Sequence, residues 1–237
     1  MNGKTNRGNV SRRNLLKFGA GAIGTGVLTA GLGSKLVLPE PALAENNITP
    51  DQALQSLIQG NRRFVRGKSS HLHQDLKDLR TVAKTQKPFA TILSCADSRV
   101  PSEIIFDQGF GDLFVCRVAG NVVTNEETGS IEFGTSVLGS KLLMVMGHKR
   151  CGAVSATLKG ASVPGKIGSL IDAIKPALSR GEGLDKDPLE AAVKANVLLQ
   201  VENLKASPVI SHLITEGKLK VVGGYFDLDT GSVTLVS

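Results

Sequence analysis

Three residues of this chain can hold a soft metal ion, and they stand in two short segments. Cys95 opens Cys95-Ala96-Asp97-Ser98-Arg99, while His148 and Cys151 frame His148-Lys149-Arg150-Cys151. Two thiolates and one imidazole suit zinc, and three protein ligands leave a fourth position open for chemistry. Either segment alone is a weak signal; their placement gives them weight. Each lies just past an apolar run, Phe89 to Leu93 for the first and Leu142 to Met146 for the second. In open parallel sheets, ligands bind beyond the carboxyl ends of strands, where strand order switches. If the two runs are neighbouring strands, Cys95, His148 and Cys151 converge on one point. Cys151 also begins a helical pattern, whose positive dipole end favours thiolate. A different reading joins Cys95 to Cys151 as a disulfide, which leaves His148, Asp97 and Arg99 without a role.

The elements that must position these residues can be read from periodicity. Three apolar runs, Phe89 to Leu93, Leu113 to Val118 and Leu142 to Met146, lack alternation and are expected as strands buried on both faces. Thr49 and Pro50 predict a helix start, with Ala53, Leu54, Leu57, Ile58 and Val65 at helical spacing and Gly67 as its end. A weaker helical pattern runs from Leu72 to Val82, ahead of Pro88. Further helices are expected over Thr128 to Leu138, Ala153 to Leu158, Ile167 to Leu178, Pro188 to Leu204 and Pro208 to Thr215. Two last strands, Leu219 to Phe226 and Val233 to Val236, flank Asp229-Thr230-Gly231, a hairpin turn. Strands alternating with helices predict an α/β fold with a mostly parallel central β-sheet flanked by helices. Cys116 reads as a buried core cysteine. His71, His73 and His212 read as solvent-facing.

Composition narrows the function class. The net charge of +7 invites a nucleic-acid reading, but the excess is local. Six of the 28 Lys/Arg and one of the 21 Asp/Glu lie before residue 45, which leaves 22 against 20, a net of +2. With no Trp and one Tyr, few aromatics can stack on bases or sugars. No nucleic-acid partner is expected. The leader accounts for the charge: Ser11-Arg12-Arg13-Asn14-Leu15-Leu16-Lys17, a Gly/Ala-rich apolar stretch, then Ala42-Leu43-Ala44. These are the parts of a bacterial signal peptide, and the paired arginines resemble a twin-arginine signal, with Leu15 where that pattern prefers Phe. Residues 1–44 are therefore expected as an export signal and 45–237 as one catalytic domain, delivered to the periplasm or another extracytoplasmic compartment. The alternative is an uncleaved leader kept as a membrane anchor; Lys35 and the glycines weaken it.

At the residues named first the chain resembles the β-class carbonic anhydrases. Cys95-Ala96-Asp97-Ser98-Arg99-Val100 is similar to that family's first zinc motif, and Gly147-His148-Lys149-Arg150-Cys151-Gly152 to its second. Between them Gly111-Asp112-Leu113-Phe114-Val115 and Arg117-Val118-Ala119-Gly120-Asn121 match its intermediate block. The resemblance implies a zinc enzyme interconverting carbon dioxide and bicarbonate, built as a homodimer or a higher assembly of dimers. Zinc-bound water would ionise near pH 7, against about 15.7 in bulk, and the hydroxide would attack carbon dioxide. Asp97 would accept that hydroxide's hydrogen and aim it, and Arg99 would hold Asp97 in a two-pronged ion pair. In some family members the equivalent carboxylate occupies the fourth zinc position, which makes Asp97 a candidate metal ligand as well. The resemblance also places Gln86, Phe114 and the Gly152 N–H at the substrate. Other readings of the same residues are a hydrolase of carbonyl sulfide or carbon disulfide, a zinc-stabilised interaction module and a secreted thiol oxidoreductase.

Overall fold

A computed structural model describes residues 47–181 and 185–236. The expected leader lies outside them. Helix α1 spans Pro50–Val65 and starts on a reciprocal cap. The Thr49 hydroxyl accepts from the Gln52 N–H, and the Gln52 side chain accepts from the Thr49 N–H. Such a box satisfies two of the donors that every helix start leaves free. The helix ends at Gly67, whose φ of +61° a side chain would resist. Helix α2, Leu76–Val82, is shorter than the sequence predicts. Asp75 caps it, and Leu72 stays outside it with its side chain exposed.

Strands β1 (Ala90–Ser94), β2 (Leu113–Arg117), β3 (Leu142–His148), β4 (Lys220–Phe226) and β5 (Val233–Val236) form one sheet in the order β2-β1-β3-β4-β5. The first four are parallel and β5 returns antiparallel through the expected hairpin. From β1 the chain steps out to β2 and then crosses to β3 on the other side, so strand order switches between β1 and β3. Both strands are buried along their whole length, as their unbroken apolar runs predict. The same expectation fails for β2, which is half-buried along most of its length. It is a sheet edge in this chain, and Cys116 on it is accordingly half-buried rather than a core residue.

Helices cover both faces of the sheet. Ala53 and Leu57 of α1 pack with Ile105 of α3 (Ser102–Ile105), a short helix the sequence did not announce, against Ile92, Met144 and Met146. On the other face Val197, Val201 and Leu204 of α7 (Pro188–Lys205) and Ile210 of α8 (Pro208–Thr215) pack against Leu93, Leu143 and Val145. Gly147 lets α7 lie close: a Cβ there would fall 2.7 Å from Val197 Cγ2 and 2.9 Å from Val193 Cγ1. Two predicted helices are irregular at their ends. Helix α4 (Asn125–Glu132) widens into a π turn over Phe133–Val137, and α6 (Ile167–Ile174) tightens into 3-10 turns over Lys175–Arg180. Helix α5, Gly152–Leu158, follows the second metal segment directly. No described helix is long and apolar enough to cross a membrane.

Candidate metal centre

Cys95 is the first residue past β1, and His148 is the last of β3. Because Ser94 pairs with Met146 in parallel register, the two chain ends emerge side by side at the switch point. Three residues further on, Cys151 stands at the N-cap position of α5. The turn between is bent by Arg150, whose φ is +56°. The Cys95 and Cys151 sulfurs and a His148 ring nitrogen lie within 4.8 Å of one another, and all three residues are buried. Both cysteines are free thiols, so the disulfide reading is set aside.

The donor set fits a tetrahedral cation. His148 Nδ1 donates to the Lys149 carbonyl at 2.9 Å, which fixes the tautomer and turns the lone pair of Nε2 inward. Nε2 is buried and has no hydrogen-bond partner. An orphaned acceptor beside two thiols is costly in a folded protein and is what a metal ligand needs. The Cys151 thiol beside it, with the Gly120 N–H and against the effect of burial, holds the Cys95 thiol down at about 4. Its neighbour Cys95 and burial push the Cys151 thiol up, against the N–H groups of Val154 and Ala153. A divalent cation would bind the pair as thiolates and displace their protons.

Asp97 and Arg99 form the expected pair. Arg99 Nε donates to Asp97 Oδ1 at 2.9 Å and Nη2 to Oδ2 at 2.7 Å, while the Arg99 backbone N–H adds a third contact at 2.9 Å. That side-chain bonding holds the Asp97 carboxyl well below the usual carboxylate range. Asp97 does not belong to the close donor cluster; Arg99 occupies both its oxygens, and Oδ2 rests 3.8 Å from His148 Nε2. Gly152 is exposed at the first turn of α5, beside Cys151.

Gln86 and Phe114 lie elsewhere in the chain. Gln86 is exposed ahead of β1, and the strand that separates it from Cys95 is about 16 Å long at 3.3 Å per residue. Phe114 pairs with Thr91, four residues before Cys95, and packs on Phe133 with ring centroids 6.1 Å apart. The strand direction carries both away from the metal residues of their own chain.

Several residues that hold the site stand in the motifs quoted from the sequence without a role read for them there. Arg117, at the end of β2, donates to the carbonyls of Cys95 and Asp97 and so fixes the first loop. The Gly120 N–H donates to Cys95 Sγ at 3.3 Å. Lys149 and Arg150 bridge to Asp227 and Asp229 in the β4–β5 turn, which pins the second loop to the hairpin. Nothing in the periodicity marks these contacts, because each joins segments distant in sequence.

Known proteins agree with this geometry. Residues 90–233 match the carbonic anhydrase family. The chain is 40% identical over 196 residues to carbonic anhydrase 2 of Mycobacterium tuberculosis, across 80% of this chain and 94% of that one. It superimposes on a Coccomyxa β-carbonic anhydrase solved with acetazolamide at a TM-score of 0.60 and 28% identity, over 77% of this chain and 86% of that one. It shares its fold with a tetrameric β-carbonic anhydrase of Sordaria macrospora, at a TM-score of 0.62 and 24% identity over 78% of this chain and 98% of that one. With the ligand set, the switch-point placement and the sheet order all in agreement, this chain belongs to the carbonic anhydrase family, in its β class.

Proposed function

We propose that the protein catalyses the reversible hydration of carbon dioxide to bicarbonate and a proton with one zinc ion per chain, held by Cys95, His148 and Cys151. The buried, unpartnered Nε2 of His148 between two free thiols carries this reading. Zinc, when bound, supplies a water that ionises near pH 7 instead of about 15.7. The chain's own residues do the rest. Asp97, kept ionised by Arg99, accepts the hydrogen of the attacking water and aims its lone pair. Arg99 keeps that carboxylate off the fourth position. The Gly152 N–H, one of the unsatisfied donors of a helix start, is available to a bicarbonate oxygen.

The working unit is a homodimer or a larger assembly of dimers. Gln86 and Phe114 can meet substrate only at the site of a second copy, since their own chain carries them away from the metal residues. The half-buried edge strand β2, with exposed Phe133 beside Phe114, supports that contact. The leader supports export of the domain 45–237 to the periplasm by the twin-arginine route.

Metal analysis and a carbon dioxide hydration assay on the domain test the reading together. One zinc per chain and rapid hydration are expected. Cys151→Ser should lose the metal, the activity and part of the stability, because zinc binding is partly folding energy. A fully metal-loaded, active Cys151→Ser protein would overturn the ligand set.

A further inference from the structure

Helix α7 carries two carboxamides on its buried side, Asn196 and, one turn later, Gln200. Asn196 is fully buried and Gln200 nearly so. Apolar side chains would pack there without the cost of burying an amide. Their partners explain their presence. Gln200 Nε2 donates to Asn196 Oδ1 at 3.0 Å, and Gln200 Oε1 accepts from the Val123 N–H at 3.0 Å. With its acceptor end taken, Asn196 must turn its donor end to the loop after β2, where Nδ2 donates to the Gly120 carbonyl at 2.8 Å. The Gly120 N–H in turn donates to Cys95 Sγ. Gly120 is therefore held on both sides of its Cα: α7 fixes its carbonyl, and its N–H, in the preceding peptide, meets a metal-ligand sulfur.

The loop needs this support. Gly120 and Asn121 both have positive φ, +76° and +46°, a conformation that consecutive residues seldom hold unaided. The opposite side is closed as well: a Cβ on Gly120 would lie 2.7 Å from Ile174 Cδ1 and 3.2 Å from Ala153 Cβ. Gly120 is thus wedged at its Cα against α5 and α6 and tied through its carbonyl to α7, which leaves φ and ψ little freedom and keeps its N–H aimed at the sulfur.

We propose that Asn196, oriented by Gln200, is a positioning residue for the metal centre: it sets the N–H···S hydrogen bond from Gly120 that fixes the direction and electron donation of the Cys95 thiolate. Partners of this kind orient metal ligands and tune the ion, and losing one typically costs about 10- to 100-fold in metal affinity or activity. The proposal rests on the zinc reading above, and its test separates the two.

Labelled with nitrogen-15 and loaded with cadmium-113, the wild-type protein should show coupling between the Gly120 amide proton and cadmium, transmitted through the sulfur. Loaded with cobalt(II), it should show a sulfur-to-cobalt charge-transfer band. Asn196→Leu should lose the coupling, move the band to longer wavelength and bind zinc about 10- to 100-fold more weakly. Val197→Ala, on the same helix, removes core volume without touching these hydrogen bonds; it should be destabilised yet keep the coupling, the band position and the affinity. An Asn196→Leu protein with coupling and band unchanged overturns the proposal. So does a wild-type protein that takes up cadmium and shows no coupling, a measurement that stands even if Asn196→Leu does not fold. Failure to take up cadmium or cobalt refutes the zinc reading instead. The Gly120 amide-proton shift then still decides: a downfield shift that Asn196→Leu abolishes upholds the hydrogen bond, and one that stays put overturns it.

Discussion

At the scale of single residues, the proposed metal site separates groups that would bind from groups that would aim. Cys95, His148 and Cys151 were legible because few side chains can do their work and because each stands where a strand run stops. Asp97 and Arg99 were legible from a spacing of two, short enough for one side chain to reach the other in a turn. Their pairing gives a direct expectation. Asp97 stands outside the close donor group of Cys95, His148 and Cys151, so Asp97→Asn should retain zinc. It should lose the orienting contact, a charge-assisted hydrogen bond of about 1.5–3 kcal/mol, and so about 10- to 150-fold in kcat/KM. Zinc content and hydration rate, measured on one preparation, check this; a wild-type rate would reduce Asp97 to a structural partner of Arg99. The Gly120 N–H and Asn196 were not legible. A glycine in a loop and an asparagine in a helix carry no chemistry until the fold sets them against a sulfur.

Among elements, legibility followed hydrophobic pattern and failed where assembly or local geometry intervened. The unbroken runs of β1 and β3 identified central strands, and the cap at Thr49 matches a helix start. The run of β2 looked the same, yet β2 is an edge. Pattern reports that a surface wants covering and not which chain covers it. Helix α2 began later than predicted because Asp75, a good cap, outcompeted the apolar spacing of Leu72. The loop between these elements is held by one buried carboxylate. Asp107, at the end of α3, accepts from Arg63 Nε and from the N–H groups of Ser70 and His71. Burial pushes its carboxyl up, but those N–H donors and Arg63 win and leave it below the usual range. A depressed folded value adds stability that is complete above the unfolded value, about 3.9, and disappears as pH falls through the folded one. Asp107→Asn keeps the shape and tolerates the positive φ, +50°, of that position. It should therefore be less stable than wild type at pH 7, and the gap should be narrower at pH 3, below the unfolded value of about 3.9. Urea midpoints at both values measure it; a gap equally wide at pH 3 would mean that charge is not what holds the loop.

On the scale of the whole molecule, two expectations concern what surrounds the domain. If Gln86 serves the site of a second copy, chains defective in different halves should rescue one another. Gln86→Ala and Cys151→Ser should each be impaired alone, and co-assembled chains should regain activity in the one site that is whole. No gain over the separate chains would overturn the service of Gln86 to a second copy. For the leader, Arg12→Lys with Arg13→Lys should keep the protein in the cytoplasm; undiminished appearance in the periplasm excludes the twin-arginine route. The switch-point arrangement bears on both. Cys95 and His148 are 53 positions apart in the chain, and only the pairing of β1 with β3 makes them neighbours. A nascent or misfolded chain therefore presents scattered donors, while the finished sheet presents a chelate. On the proposed zinc reading, metal uptake certifies completed folding and would add a bias toward the native state that grows with the logarithm of free zinc over its dissociation constant. A cell that meters zinc would thereby meter how many of these chains stay folded.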